Sequence, residues 1–160
     1  MRMELVEIKT GKKVEAYIKR LTFLEIRGLK NNHRFLFDWS LEIDYEVYQI
    51  SLKGEVEILG LISISDISRE LRIHINLIES SIENKGNKKQ FDYIPGCLIG
   101  FACQLAFLKG YGGFVSLKAK TQLIDHYRKK YGFISIGAQM AIYGKFAQEL
   151  IKKYLGHEEI

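Results

Sequence analysis

The period of the apolar positions changes several times along the chain. Met3 to Ile8 reads as a short strand and Lys12 to Leu29 as a helix. A loop at Asn31-Asn32-His33 leads into the aromatic run Phe35 to Trp39, which is core by composition. From Tyr45 to Leu52 the pattern alternates, with Tyr48, Ile50 and Leu52 on one face. Lys53-Gly54-Glu55 turns the chain, Val56 to Ser65 is the next strand, and Asp66 to Arg69 turns it again. Arg72 to Ile78 alternates once more, with Ile73, Ile75 and Leu77 on one side. These three segments predict an antiparallel meander.

Beyond it, Glu79 to Asp92 is polar and irregular. A helix follows from Cys97 to Lys109, with Leu98, Phe101, Ala102, Leu105 and Leu108 at the helical period, and Gly110, Gly112 and Gly113 end it. Phe114 to Leu117 is a short buried strand. Thr121 caps a second helix carrying Leu123, Ile124 and Tyr127, and Gly132 stops it. Phe133 to Ile136 and Met140 to Tyr143 are two more strands. Phe146, Ala147, Leu150, Ile151 and Tyr154 mark a last amphipathic helix. The order predicts an α/β (α+β) fold: a mixed, mostly antiparallel central sheet flanked by helices. One parallel neighbour pair is expected at the strand-helix-strand crossover.

Composition narrows the class. The 160 residues suit one domain, 1–160, and 47% hydrophobic with 27% charged residues is a globular mix, not a disordered one. No apolar run reaches the ~18–20 residues of a bilayer span, so no membrane is expected. The N-terminal residues lack the apolar core of a signal peptide, and a cytoplasmic location is expected. Cys97 and Cys103 have no CxxC spacing and read as buried, reduced thiols. His33, His74, His126 and His157 form no ligand pattern, and no metal is expected. The net charge of +5 suits a phosphate-bearing ligand or a nucleic acid, although the tightest basic run is only Arg128-Lys129-Lys130.

A loop that enters a helix after a strand is a natural anion site, because free N–H groups and the positive end of the helix dipole point there. That place is Gln90 to Leu98, preceded by Lys88 and Lys89.

Residues Phe101 to Phe133 run helix, Gly110, strand Val115 to Leu117, helix, Tyr127, then Gly132-Phe133. This resembles the central region of the GNAT superfamily of acetyl-CoA-dependent N-acetyltransferases. The wording from Ile75 through Leu98-Ile99-Gly100-Phe101 to Met140 is similar to its small bacterial members. The resemblance implies a GNAT-like acyl-CoA N-acyltransferase fold, acetyl-CoA as co-substrate and an amine acceptor. It puts Tyr127 in the role of acid for the departing thiolate and Glu79 in that of base for the amine. A carboxyl at the end of an apolar strand could have the raised pKa a base requires. His74 and Asn76 share the opposite strand face as weaker candidates, and His126 points elsewhere on its helix. The resemblance also implies that Leu77 and Ile78 offer backbone groups to the pantetheine arm. Lys120 stands where many members carry an asparagine that contacts the cofactor.

The family's pyrophosphate motif, Q/R-x-x-G-x-G/A, falls on Gln90 to Pro95, so that Tyr93 and Pro95 replace glycines. Pro95 also removes a donor. The cradle would then be rebuilt from the amides of Gly96, Cys97 and Leu98. Two other classes stay open: a toxin-like acetyltransferase of aminoacyl-tRNA, and a catalytically degenerate module that binds CoA or protein. The helix Phe146 to Leu155 is a candidate surface for a homodimer. Acceptor pockets in this superfamily draw on the first helices and terminal strands, here Val14 to Trp39 and Ile134 to Tyr143.

Overall fold

A computed structural model describes residues 2–156; His157 lies outside them. The chain opens with a hairpin, β1 (Arg2–Glu7) against β2 (Lys13–Arg20). The second strand lies where a helix is expected. Val14, Ala16 and Ile18 repeat every second residue, and pairing with β1 on one side and the meander on the other overrides the helix propensity of the intervening Lys and Glu. Only Phe23–Arg27 (α1) is helical. Thr22 starts it by a capping box, accepting the Glu25 amide at 3.2 Å while the Glu25 carboxylate accepts the Thr22 amide at 2.9 Å.

The meander is β3 (Glu46–Leu52), β4 (Gly60–Ile67) and β5 (Arg72–Ser80). The middle strand starts four residues later than expected, and Val56 is 93% exposed in the preceding loop. Then come β6 (Phe91–Asp92), α2 (Ile94–Leu108), β7 (Val115–Leu117), α3 (Ile124–His126), β8 (Ile134–Ile136), β9 (Gln139–Ile142) and α4 (Gly144–Leu155). The sheet order is β6-β1-β2-β3-β4-β5-β7-β9-β8, and only the β5–β7 pair is parallel.

Two cores flank the sheet. The larger lies under α2 and α4, where Ile62, Ile64, Ile73, Ile75, Leu98 and Ala102 are buried together. Because α2 is covered by the sheet on one side and α4 on the other, it is apolar nearly all round. Glycine makes this stacking possible: a Cβ on Gly96 would stand 2.2 Å from the Tyr154 ring, and one on Gly60 2.6 Å from Ile94. The smaller core holds Leu21, Ile26, Leu29, Phe35, Trp39, Val47 and Leu61 on the opposite face. Of the aromatic run, Phe35 and Trp39 are thus core, while Leu36 and Phe37 are exposed. No helix among the described residues is long and apolar enough to cross a membrane.

Candidate active site

Strand β5 changes character part-way. Its pairing with β4 runs Ile64 to Ile75 and Ser63 to Leu77, which leaves Asn76 as a bulge. Before the bulge, Ile73 and Ile75 face the larger core. After it the phase flips, so that Ile78 packs on the larger core and Leu77 on the smaller one. Leu77 therefore does not share a side with Ile73 and Ile75, as simple alternation predicts. Strand β7 pairs only with Ile73–Ile75. From Asn76 to Ser80 the β7 side of β5 has no strand partner among the described residues, and a cleft opens there.

The cleft has a volume of about 630 Å³ and adjoins a cavity of about 170 Å³ that shares Ile78, Glu79, Ser80 and Pro95 with it. Ile78, Glu79 and Ser80 form one wall. The start of α2 closes one end with Tyr93 and Pro95, and the segment after β7 closes the other with Leu123, His126, Tyr127 and Tyr131.

At the start of α2, Tyr93 has φ +82°, a left-handed conformation that favours glycine. Its amide donates to the Asp92 carboxylate at 2.9 Å, and its ring meets Tyr154 edge-on at 5.4 Å. The Cys97 amide is spent on the Tyr93 carbonyl at 2.9 Å. Pro95 has no N–H. The amides of Ile94 and Gly96 donate to no protein acceptor among the described residues. Lys85, Lys89 and Lys130 also line the cleft, the first two paired to Glu79 and Asp92 at 2.6 and 2.9 Å.

The segment after β7 is not a regular helix. A 3₁₀ turn, Thr121–Leu123, one α turn and a π turn, Tyr127–Tyr131, follow one another. Thr121 caps nothing, since Lys120 holds the cap position without a side-chain bond. The π turn widens the ring of backbone bonds by one residue. Tyr127 is half-buried against Tyr131 and Phe133, and burial raises its phenol pKa. It therefore stays protonated at neutral pH. His126 meets both Tyr127 and Tyr131 edge-on at 5.7 Å. Partial burial and the Lys130 charge lower its pKa, which favours the neutral imidazole.

Glu79 is 5% exposed. Its carboxylate accepts from the Leu36 amide (2.7 Å), the Phe37 amide (3.3 Å), the Trp39 indole (2.8 Å) and the Lys85 ammonium (2.6 Å). Burial alone would raise its pKa, but these donors together outweigh it and the net shift is downward. The raised pKa expected of a strand-end base is not found, because the lone pairs are already engaged.

No protein-family model matches the chain, and no curated protein does. Solved structures do. The chain is similar to mutant forms of the spermidine/spermine N-acetyltransferase SpeG from Vibrio cholerae: 12% identity, 86% of this chain and 97% of that one, TM-score 0.59. It is similar to the ribosomal-protein-S18-alanine N-acetyltransferase from Escherichia coli, with 11% identity, 79% and 90% coverage and TM-score 0.55. An IAA acetyltransferase from Bacillus cereus matches with 14% identity, 80% and 99% coverage and TM-score 0.50. The chain has the GNAT acyltransferase fold. At these identities the likeness is one of fold.

Within the GNAT fold, the residues singled out from sequence separate into two groups. Ile78, Glu79, Tyr93 and Tyr127 meet in the cleft. The others lie elsewhere. Leu77 faces the smaller core. Gln90 is exposed, and its carbonyl accepts the Ile8 amide at 2.9 Å. Lys120 is exposed and outside the cleft lining. Because α2 starts three residues earlier than expected, Cys97 and Leu98 are already inside the helix and fully buried, so they offer no cradle. Of that trio only Gly96 keeps a free amide, though its missing side chain is occupied by Tyr154. Burial pushes the Cys97 and Cys103 thiols up to about 12, and both are free. His74 and Asn76 sit in polar networks with Ser116 and Ser65, away from the cleft. His126 is exposed, as expected, and at the same time lines the cleft.

Proposed function

We propose that the protein is an acetyl-CoA-dependent N-acetyltransferase. The observation that carries this reading is the convergence of three features in one cleft: the unpaired edge of Asn76–Ser80, the free amides of Ile94 and Gly96, and the Tyr127 phenol. A pyrophosphate needs backbone donors at a helix start and lysines near it, and both are present. The left-handed Tyr93 supports the same fit, because the backbone keeps the shape of the glycine it replaces.

In this reading the acceptor nitrogen attacks the thioester carbonyl, an N–C bond forms, and the C–S bond breaks. Tyr127 donates its proton to the departing sulfur. General acid help of this kind is worth roughly 10²–10⁴ in rate. His126, neutral and on the same wall, receives the proton that the amine loses. Glu79 acts as a positioning residue: it holds the loop carrying Leu36 and Phe37 against the cleft. Turnover of acetyl-CoA with an amine panel, followed by thiol release, tests the reading. Transfer by the wild type that Tyr127→Phe abolishes supports it; equal turnover by that variant removes Tyr127 from its role.

A second reading, a degenerate module that binds CoA or protein without chemistry, draws on the donor lost at Pro95. Saturable acetyl-CoA binding without transfer to any amine would favour it.

A further inference from the structure

The segment that Glu79 ties down has a composition unlike the rest of the chain. From residue 35 to 52 it carries Asp38, Glu42, Asp44 and Glu46 and no lysine or arginine, in a protein of net charge +5. Glu46 pairs with Arg20 at 3.6 Å. Asp38, Glu42 and Asp44 have no ion-pair partner among the described residues. Large apolar side chains alternate with them: Leu36 and Leu41 are each 73% exposed, and Phe37 is 49% exposed while lining the cleft.

Exposed apolar side chains on a mobile loop would mean little. These are held. Beyond the three bonds to Glu79, the Ile82 amide donates to the Arg34 carbonyl at 2.8 Å, and Arg34 pairs with Glu57 and Glu83. Asp38 caps the following 3₁₀ turn through the Ser40 amide at 3.1 Å. The result is a fixed lip, apolar and acidic, that reaches the cleft through Phe37. Lys85, Lys89 and Lys130 line the same cleft, and Lys85 is bonded to Glu79, the carboxylate that holds the lip. Inside the cleft both carboxylates, Glu79 and Asp92, are already compensated by Lys85 and Lys89. A small polycation would find no free carboxylate there. A chain that lays leucine- or phenylalanine-sized groups on the lip and lysine or arginine beside its carboxylates would be matched on both counts.

We propose that the acceptor is an amine carried on a cationic, amphipathic peptide segment, which docks on the lip formed by Leu36, Phe37, Leu41, Asp38, Glu42 and Asp44. This rests on the acetyltransferase reading for the transfer step, but the docking is measurable without it.

The probes are three: a ten-residue peptide with a free α-amine and alternating leucine and lysine, its twin with glutamate for lysine, and spermidine. Binding of the labelled peptides to the full chain is read by fluorescence anisotropy without acetyl-CoA. Transfer is read separately by thiol release, and acetyl-CoA binding by calorimetry. The cationic peptide is expected to bind and to be acetylated with kcat/KM at least about tenfold above the acidic twin and spermidine. Leu41→Ser and Asp44→Lys are each expected to weaken peptide binding about three- to tenfold, through KM and not kcat, and to leave acetyl-CoA affinity unchanged. Both side chains are exposed, so neither change threatens the core. Equal binding of the two peptides, or unchanged binding in both variants, overturns the proposal. Peptide binding without any acetyl-CoA binding would instead keep the docking surface and remove the transferase reading.

Discussion

The two halves of strand β5 have the same neighbours in sequence and opposite fates. Ile73–Ile75 is paired on both sides, to β4 and to β7. Side chains lock this half further. Arg72 donates to Ser116 Oγ at 2.5 Å and to Gln139 Oε1 at 3.3 Å, and His74 Nδ1 lies 2.9 Å from the same serine oxygen. Three strands are thus stitched together. Past the bulge at Asn76, the second half keeps only β4, and its free edge becomes a cleft wall. One extra residue separates a clamp from a site. The clamp spends Arg72, His74 and Ser116 on one another, while the open half has an edge without a strand partner among the described residues. Such an unpartnered edge is the physical mark of a binding surface, since buried polar groups are otherwise paired.

The largest break of this contrast would come from Tyr127→Phe. It is expected to lower kcat roughly 10²–10⁴-fold while acetyl-CoA affinity stays put, as steady-state kinetics and calorimetry would read. Next is Glu79→Gln, expected to cost about 2–3 kcal/mol in denaturant unfolding, because Lys85 loses its partner and three donors lose a charged acceptor. The pH dependence follows the same group. Its folded pKa lies below the ordinary 4.5, so its stabilisation is present above pH 4.5 and is lost as pH falls through the folded value. The variant should show a flatter acid limb.

On the clamp side the effects are smaller and sharpen the comparison. Ser116→Ala is expected to cost about 1 kcal/mol and to leave acetyl-CoA affinity unchanged. Burial first, and the Arg72 charge second, hold the His74 pKa below 6.5. Its unfolded form therefore binds a proton that the folded form refuses, and stability drops as pH falls below 6.5. His74→Gln should remove that slope. The smallest effect is expected from Tyr93→Gly. Relief of the left-handed backbone, worth about 1 kcal/mol, is offset by the lost Tyr154 contact. Stability should change little, and acetyl-CoA should bind somewhat more tightly.

Much of the fold was legible because periodicity reports burial. The alternation of Tyr48, Ile50 and Leu52 and the crossover from β5 through α2 to β7 both follow from it. Val14, Ala16 and Ile18 show its limit: a short segment whose intervening residues include Lys and Glu also satisfies a helix, and only the partner strands decide. The lining of the cleft was legible where chain order sets position, as at Glu79 and Tyr127, and illegible where local geometry does. A bulge at Asn76 moved Leu77 to the other face. A π turn at Tyr127–Tyr131 replaced the regular helix expected there. The role of Glu79 as a tie for Leu36, Phe37 and Trp39 is a contact across about forty residues of sequence, which no spacing reveals.

Hydrogen exchange with and without acetyl-CoA tests the central claim most directly. At ligand near 100 times Kd, binding adds about 2.7 kcal/mol to the folded state. The account predicts new protection at Asn76–Ser80 and at Ile94 and Gly96, with local slowing beyond any global gain, and none of that local gain at Arg72–Ile75. Protection confined to another part of the surface, or no change at saturating acetyl-CoA, would contradict it.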